Sequence, residues 1–239
     1  MKLTPRLHTI VQFVNKEASV ADIGTDHGYI PVYLIQHEIA SRVIASDVNE
    51  GPLQSARNTI EANGLEHSIE VRLGSGLEVL SLGEVDTVII AGMGGFLIRD
   101  ILEANLTLAH SVDRLILQPM VAQDELRRWL LENQFEIVDE RLAKEEHRIY
   151  EVLLVRKGIQ TISDEIYYDI GIKMIENRDP LLHEFIKKHI RKNAAIVESL
   201  ERKTNKHEEG IAKAISCKKK LKKLEEVLRW LNKEKNSSK

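Results

Sequence analysis

The chain is poor in the residues that build disulfides and metal centres. Cys217 is the only cysteine among 239 residues, which excludes an intrachain disulfide and a cysteine-rich zinc site. The nine histidines lack the paired spacing of metal ligands, so we expect no structural metal. No apolar run approaches the roughly twenty residues needed to cross a bilayer, and the N-terminus lacks a signal-peptide core. We therefore expect a cytoplasmic protein that makes no membrane contact.

Positive charge is scarce in the first part of the sequence and abundant in the second. Through Gly158 there are 15 lysines and arginines against 24 acidic residues, a net charge of −9. The remainder carries 19 against 13, a net charge of +6. A hydrophobic content of 43% is enough to bury a real core. These values predict an acidic globular domain at residues 1–158 and a basic appendage at residues 159–239.

The stretch Ala21 to Pro31 reads A-D-I-G-T-D-H-G-Y-I-P and joins a predicted buried strand to a helix. Glycines at such a turn let the backbone approach a ligand, and the helix that follows presents free N–H groups. The spacing D-x-G-x-x-x-G fails the G-x-G-x-x-G pattern of dinucleotide sites. A nucleotide-cofactor turn is one interpretation, and an ordinary strand-to-helix connection is the other.

Further strands follow at the intervals of an open α/β fold. Arg42 to Asp47 is an apolar run that ends in a carboxylate, which could accept both ribose hydroxyls of a nucleoside. Alternatively, Asp47 could cap a helix that begins near Pro52. Three more strand-like runs end in glycine or proline and bring accessible backbone to the same sheet edge: Ile69–Gly76, Asp86–Gly95 and Arg114–Pro119.

Helical patterns lie between these strands. Thr4-Pro5 is an N-cap with proline at the first helical position, followed by apolar residues at helical spacing as far as Val14. The alternation predicts a mostly parallel sheet covered on both faces. Two further helices are expected at Pro52–Ala62 and Asp124–Asn133, and a closing antiparallel hairpin at Phe135–Leu142 and Ile149–Val155.

The basic appendage has the periodicity of long helices. A first helix is expected around Asp164 to Asn177, and a polar break at Thr204 to Gly210 separates two longer ones. The second of these carries a seam with alternating steps of three and four: Ala214, Cys217, Leu221, Leu224, Leu228 and Leu231. The simplest structure is an antiparallel coiled hairpin.

Lysine and arginine clusters on this hairpin have two interpretations. They could form a solvated or dimerising helical face. They could also bind the phosphate backbone of RNA, which an acidic domain alone would repel. We favour RNA contact and a monomeric protein, and the candidate residues are Lys187, Lys188, Arg191, Lys192, Lys218, Lys219, Lys220 and Lys222.

Together these motifs carry a family resemblance. D-I-G-T-D-H-G-Y-I-P, S-D-V-N, R-L-G-S-G-L, I-I-A-G-M-G-G and L-I-L-Q-P-M, followed by a basic helical region, resemble the bacterial tRNA (adenine-N1)-methyltransferases that modify adenine 22 of tRNA. The first motif is similar to motif I of Rossmann-like S-adenosylmethionine (SAM) methyltransferases, with Asp26 where a glycine usually stands. The resemblance covers essentially the whole chain.

The resemblance implies a class I SAM methyltransferase domain followed by a helical coiled-coil domain, with tRNA as the substrate. Many methyltransferases place an acidic residue after the third strand, where this chain has Ser75, so adenine recognition is expected to rely on backbone groups and on Val48. The cofactor-binding residues implied are Asp22, Gly24, Thr25, Asp26, His27, Gly28, Asp47, Val48, Gly74, Ser75, Gly76, Gly92, Met93 and Gly94.

Two residues are candidates for the catalytic step. Asp26 could stabilise positive charge near adenine N1, or it could only cap the following helix or bond the cofactor. Tyr29 could stack on the target base, or it could pack in the core. Ala91 to Gly95 replaces the (D/N)-P-P-(Y/F) clamp of exocyclic-amine methyltransferases. A methyltransferase for another substrate and a noncatalytic SAM- and RNA-binding adapter are the competing functions.

Overall fold

The computed structural model describes residues 1–202 and 208–237, and it divides into two compact units. The first unit is Met1–Ser163 and the second is Asp164–Lys239. Residues just beyond the expected boundary at Gly158 still bond to the first unit. The Gly158 amide donates to the Gln134 carbonyl over 2.9 Å, and the Gln160 side chain accepts from the Ile137 amide over 2.7 Å.

The first unit is built on one seven-stranded sheet with the strand order β3-β2-β1-β4-β5-β7-β6. Strands β1 to β5 are parallel, and β6 and β7 close the sheet as an antiparallel hairpin. This is the Rossmann-like methyltransferase topology expected from the sequence, which is thus confirmed. The strands are β1 (Ala18–Ile23), β2 (Ala40–Asp47), β3 (Ile69–Leu73), β4 (Thr87–Met93), β5 (Arg114–Pro119), β6 (Phe135–Glu145) and β7 (Arg148–Lys157).

Helices cover both faces of this sheet, so the central strands are apolar on both sides. Along β4, Val88 and Ile90 join one buried cluster, whereas Ile89 joins the other. All three side chains are fully buried, which explains the near-continuous apolar runs in the sequence. The helices of this unit are α1 (Pro5–Val11), α2 (Tyr29–Gln36), α3 (Glu50–Ala62), α4 (Gly95–Ala104), α5 (Leu106–Ala109) and α6 (Gln123–Glu132).

The structure corrects two element boundaries in this unit. Helix α1 begins as expected, with the Thr4 hydroxyl accepting from the Leu7 amide, but it ends at Val11 and does not reach Val14. Strand β3 ends at Leu73 and is closed by the expected Gly-Ser-Gly turn, in which the Gly74 amide donates to the Asp47 carbonyl. Helix α3 begins at Glu50, two residues before Pro52.

The second unit is helical, with the helices α7 (Ile166–Ile170), α8 (Ile172–Glu176), α9 (Leu182–Arg202) and α10 (Glu208–Ser237). The single helix expected over Asp164 to Asn177 is wrong, because Gly171 takes a φ of 57° and separates α7 from α8. The break expected at Thr204 to Gly210 begins outside the described residues, and Gly210 itself lies within α10.

Helices α9 and α10 run antiparallel. His183 near the start of α9 hydrogen-bonds Asn232 near the end of α10 over 3.0 Å. Glu201 at the end of α9 pairs with Lys218 in the first half of α10 over 2.6 Å. Leu224 in the middle of the predicted seam is fully buried, and the other seam residues are partly buried. Among residues 1–202 and 208–237, no helix is both long and apolar enough to span a bilayer.

Candidate active site

The carboxyl ends of the parallel strands form the candidate site. The chain runs from β1 outward to β3 on one side and then returns to β4 and β5 on the other. Open α/β sheets bind ligands at such a switch point, where neighbouring loops diverge and leave a crevice. The loops that follow β1, β2, β3 and β4 carry every cofactor residue predicted from the sequence except four that lie at or near the ends of their strands: Asp22, Asp47, Gly92 and Met93.

The loop after β1 is a turn fixed by its neighbour β2. The amides of Gly24 and Thr25 both donate to the Ser46 carbonyl over 2.8 Å. Gly24 and Gly28 take the left-handed φ values of 77° and 68° that the turn requires. Asp26, which stands where motif I usually has a glycine, does not take a positive φ. Gly28 is the N-cap of α2 without a side-chain bond, which also excludes Asp26 as the cap.

Asp22 is a buried acid beneath this turn. Its side chain lies at the end of β1 and is 5% exposed. Its pKa is raised from 3.8 to about 6, chiefly by burial and to a smaller extent by the nearby Asp47 carboxylate, whereas the hydrogen bond with Thr25 lowers it. A cation that binds beside Asp22 therefore favours the ionised form of its carboxyl group.

We expect the affinity for SAM to fall as the pH drops below about 6, because Asp22 then takes up a proton that the cationic ligand must displace. Protonation of the free protein weakens binding by up to about tenfold per pH unit below that pKa. Calorimetric titration between pH 7.5 and 5 measures the effect. The carboxyl of SAM is ionised throughout this window, and its α-amino group, with a reference pKa of about 7.7–8.0, is almost fully charged below about pH 6.5, where the slope is measured.

Two variants separate Asp22 from the other ionisable groups of the turn. Asp22→Asn should bind SAM more weakly at pH 7.5 and show a flat pH dependence. His27→Gln removes the exposed imidazole of the same turn and should keep the parent's slope. A flat profile in His27→Gln with a normal slope in Asp22→Asn would assign the titration to the histidine and contradict the role of Asp22.

The end of β2 presents a carboxylate, a hydroxyl and an apolar side chain. One oxygen of Asp47 accepts from the Asn49 amide over 2.7 Å, and the other has no hydrogen bond within the described chain. Asn49 is the N-cap of α3, so Asp47 does not cap this helix. The Ser46 hydroxyl is buried without a partner in the described structure. Val48 is 64% exposed beside them.

The loop after β3 comes back to this same edge through backbone contacts. The Gly74 amide donates to the Asp47 carbonyl over 3.0 Å, which places Gly74, Ser75 and Gly76 next to the β2 carboxylate. A side chain at Gly74 would lie 2.5 Å from Val79, so the loop needs a glycine there. The backbone of this loop, as predicted, is brought together with Asp47 and Val48.

The end of β4 packs directly on the turn after β1. A Cβ atom at Gly24 would lie 2.0 Å from the ε-methyl of Met93 and would displace it, and the φ of 77° would strain any side chain at this position. The Gly92 amide donates to the side-chain oxygen of Gln118 over 3.2 Å. Gly94 is the N-cap of α4. The residues Gly92, Met93 and Gly94 are thus tied to β1 on one side and to β5 on the other.

Three exposed side chains cluster above the turn. The Asp26 carboxylate lies 3.4 Å from the His27 Nε2, and the Asp26 side chain is 72% exposed. The rings of His27 and Tyr29 stack with centroids 5.2 Å apart. Tyr29 is 44% exposed, so it does not pack in the core as the alternative interpretation had it. Its ring is accessible to a planar ligand.

These residues fit a nucleoside that carries positive charge. Backbone turns without Cβ atoms allow close approach, one Asp47 oxygen and the Ser46 hydroxyl lack partners in the described structure, and Val48 offers an apolar surface. The carboxylates of Asp22, Asp26 and Asp47 make the edge electronegative. Within residues 1–202 and 208–237, no three histidine, cysteine, aspartate or glutamate side chains are grouped so that they could hold a metal ion.

Three further residues of this edge were not identified from the sequence. Ser46 and Gln118 are buried polar residues at the ends of β2 and β5, and Arg6 on α1 donates to Gln118 over 2.7 Å. A polar residue inside an otherwise apolar run, as in R-L-I-L-Q-P, is the signal that could have indicated Gln118. Nothing local in the sequence connects Arg6 to it, because 112 positions separate the two residues.

Comparison with known proteins gives consistent matches. Residues 20–236 match the family TrmK, tRNA (adenine(22)-N(1))-methyltransferase. A tRNA (adenine(22)-N(1))-methyltransferase of Bacillus subtilis is 42% identical over 158 residues, which are 66% of this chain and 66% of that relative. The aligned part therefore spans about two thirds of the relative's length.

Two solved structures extend the likeness over nearly the whole chain. A Streptococcus pneumoniae protein in complex with S-adenosyl-L-methionine is 34% identical, with a TM-score of 0.83 over 95% of this chain and 100% of that one. Mycoplasma capricolum TrmK in complex with S-adenosyl-homocysteine is 25% identical, with a TM-score of 0.80 over 96% and 99%.

Proposed function

This chain belongs to the tRNA (adenine(22)-N(1))-methyltransferase family, and from that membership we propose how its own residues carry out the reaction. The enzyme uses SAM to methylate N1 of adenine 22 in tRNA. The observation that supports the residue assignment is the packing of the β4 loop on the β1 turn, which brings Met93 against Gly24. Because β1 and β4 are neighbouring strands, this contact joins the proposed cofactor site to the proposed site of the target base.

The cofactor half of the site lies over β1, β2 and β3. We assign the ribose hydroxyls to Asp47, the apolar face of the adenine to Val48, and its polar edge to the backbone around Ser75. The amides of the turn from Asp26 to Gly28, which follow the two that bond Ser46, and the buried Asp22 would hold the methionine part. SAM supplies an electrophilic methyl group on a sulfonium, and the protein's task is to hold it in line with the attacking nitrogen.

Adenine N1 needs no general base. Its in-plane lone pair is free at neutral pH, so placement of N1 roughly 3 Å from the methyl carbon contributes most of the rate. The absence of a (D/N)-P-P-(Y/F) clamp at Ala91 to Gly95 agrees with this chemistry, because no amino group has to be activated. We assign the face of the target base to the accessible ring of Tyr29.

The methylated base is a cation, and a carboxylate near it would stabilise the developing charge. Asp26 is the exposed acid nearest to Tyr29 in the sequence, and its contact with His27 holds it at this part of the turn. An interaction that strengthens as charge develops lowers the barrier more than it tightens ground-state binding. We therefore give Asp26 an electrostatic role in the transition state.

Asp26→Asn should lower the rate of methyl transfer at least about tenfold while SAM affinity stays within a small factor, because the lost interaction forms mainly in the transition state. Single-turnover transfer of tritiated methyl groups to unmodified tRNA measures the rate, and calorimetry measures the affinity. Asp100→Asn, an exposed acid that pairs with Arg99 on α4, is the matched control. An unchanged rate in Asp26→Asn would leave Asp26 without a catalytic role.

The second unit is proposed to bind the tRNA. Lys187, Lys188, Arg191 and Lys192 are all exposed on α9, and Lys219 and Lys222 are exposed on α10. Two other candidates have acidic partners: Lys218 pairs with Glu201, and Lys220 pairs with Asp169 over 2.5 Å. The α9 cluster brings four exposed cations together on one helix, which makes it the strongest candidate for phosphate contact.

A further inference from the structure

Arg6 places a guanidinium group near the carboxyl ends of the parallel strands, and within the described residues this group has no carboxylate partner. It lies on α1, is partly buried, and forms no ion pair with any acidic residue of the described chain. Within the described residues its side chain makes one hydrogen bond to protein, from Nη1 to the side-chain oxygen of Gln118 over 2.7 Å. Arginine carries five N–H donors, so most of its donors remain available to a ligand.

The position of Arg6 is set by the β4 loop. The side-chain oxygen of Gln118 accepts from both Arg6 Nη1 and the Gly92 amide. These two bonds join the guanidinium to the end of β4, where Met93 packs on Gly24. A Cβ atom at Gly92 would lie 3.8 Å from Arg6 Nη1. The backbone amide of Arg6 donates to Glu145 over 2.8 Å, and its guanidinium carbon lies 5.5 Å from the Tyr150 ring centroid. Gln118 and Tyr150 thus position the Arg6 side chain, and Glu145 positions its backbone.

Chemistry selects the ligand of this guanidinium. A fixed positive charge beside adenine N1 would oppose the cation that the reaction forms, so the base itself is a poor partner. A phosphodiester matches the planar fork of arginine and can accept two of its N–H groups. The edge also carries Asp22, Asp26 and Asp47, which would repel a polyanion unless a cation compensates. Arg99, also close to the β4 loop, is already paired with Asp100 over 2.6 Å.

We propose that Arg6 binds a backbone phosphate next to the target adenosine and so holds the nucleotide once its base has entered the site. Enzymes that modify a base inside a folded nucleic acid rotate the nucleotide out about its backbone, which brings its flanking phosphates to the protein surface. This assignment rests on the proposed function and adds a substrate-binding residue to it. Gln118 then acts as a positioning residue, since it fixes Arg6 and Gly92 together.

The test is a double-mutant cycle in which one change is Arg6→Gln and the other is in the tRNA. In the altered tRNA, one phosphate, either 5′ or 3′ of adenine 22, is replaced by an uncharged methylphosphonate. Arg6→Gln should raise the KM for unmodified tRNA roughly 10- to 100-fold and leave the affinity for SAM within about twofold, as expected for loss of a charged hydrogen bond. One of the two methylphosphonates should cost the parent enzyme a similar factor. The two changes together should cost no more than either alone.

Controls separate phosphate binding from a bracing role. Arg42→Gln removes an equally charged residue near the start of β2, at the opposite edge, and should keep the parent's KM. If Arg6 only positioned the neighbouring loop, the loss caused by Arg6→Gln would multiply with the loss caused by either methylphosphonate, and the affinity for SAM would fall. That result would overturn the proposal. An unchanged KM in Arg6→Gln would overturn it too.

The substituted tRNA needs no protein variant, so the proposal stays testable even if Arg6→Gln folds poorly. Equal activity of the parent on all three tRNAs would contradict it. A parent enzyme inactive on unmodified tRNA would refute the proposed function along with this inference. Normal parent activity with the wrong pattern in the cycle would refute the role of Arg6 alone.

Discussion

Replacing Lys187, Lys188, Arg191 and Lys192 together with glutamine should lower the affinity for tRNA on the order of 10²- to 10³-fold near 0.1 M salt. These four exposed residues share one helix, α9, and each phosphate contact releases close to one condensed counterion. The slope of log affinity against log salt should therefore become shallower by about 3 to 4. Filter binding of tRNA across a salt series measures both quantities.

A matched variant controls for net charge. Lys16, Arg42, Arg156 and Lys157 are exposed and lie at the amino edge of the parallel strands, opposite the candidate active site. Replacing these four with glutamine changes the net charge by the same amount and should leave the slope nearly intact. Identical slopes for the α9 variant and the parent would show that α9 is a solvated or dimerising face. The tRNA would then have to be held by the first unit.

Arg127→Met should destabilise the first unit by about 3–5 kcal/mol, because it leaves two buried acids without their cation. Arg127 on α6 donates to Glu140 over 2.7 Å and to Glu151 over 2.6 Å, and all three side chains are at most 4% exposed. Burial raises the pKa of the Glu151 carboxyl, against the opposing effect of the Arg127 charge. Losing the Arg127 charge removes the interaction that opposes this effect of burial. Urea unfolding followed by circular dichroism measures the change.

The triple variant Arg127→Met, Glu140→Leu, Glu151→Leu identifies the cause of this loss. Apolar replacement of a whole buried ion cluster is often neutral or stabilising, so the triple variant should recover most of the stability that the single variant loses. A triple variant as unstable as Arg127→Met would mean that packing around Arg127, and not uncompensated charge, explains the effect. No loss in the single variant would contradict the electrostatic account altogether.

The sequence was sufficient to predict the fold and to identify residues that the structure brings together at one edge of the sheet. Strands buried on both faces, such as β4, appear as apolar runs, and the glycines and carboxylates that end them mark the ligand edge. The resemblance then indicated the cofactor and the substrate, and family membership confirms both. Local signals also predicted the N-cap at Thr4 and the closing hairpin, since both depend on neighbours close in the chain.

Features that depend on distant contacts escaped prediction. The Arg127–Glu140–Glu151 cluster is formed by charged residues that a sequence pattern places in solvent. The link from Arg6 to Gln118 depends on how α1 packs against β5. The turn tolerates Asp26 in place of the usual glycine because Gly24 and Gly28 already supply its left-handed positions, a distribution that the motif alone does not show. Gly171 breaks a helix that periodicity alone would have continued.

The most direct test of the central claim is mass-spectrometric mapping of nucleosides in unmodified tRNA incubated with the protein and SAM. The account predicts one new 1-methyladenosine, located at position 22, and none when Gly24→Val replaces the parent, because a valine would be strained at the φ of 77° and would displace Met93 from the cofactor turn. Methylation at N6, at another position or on no nucleoside would contradict the account.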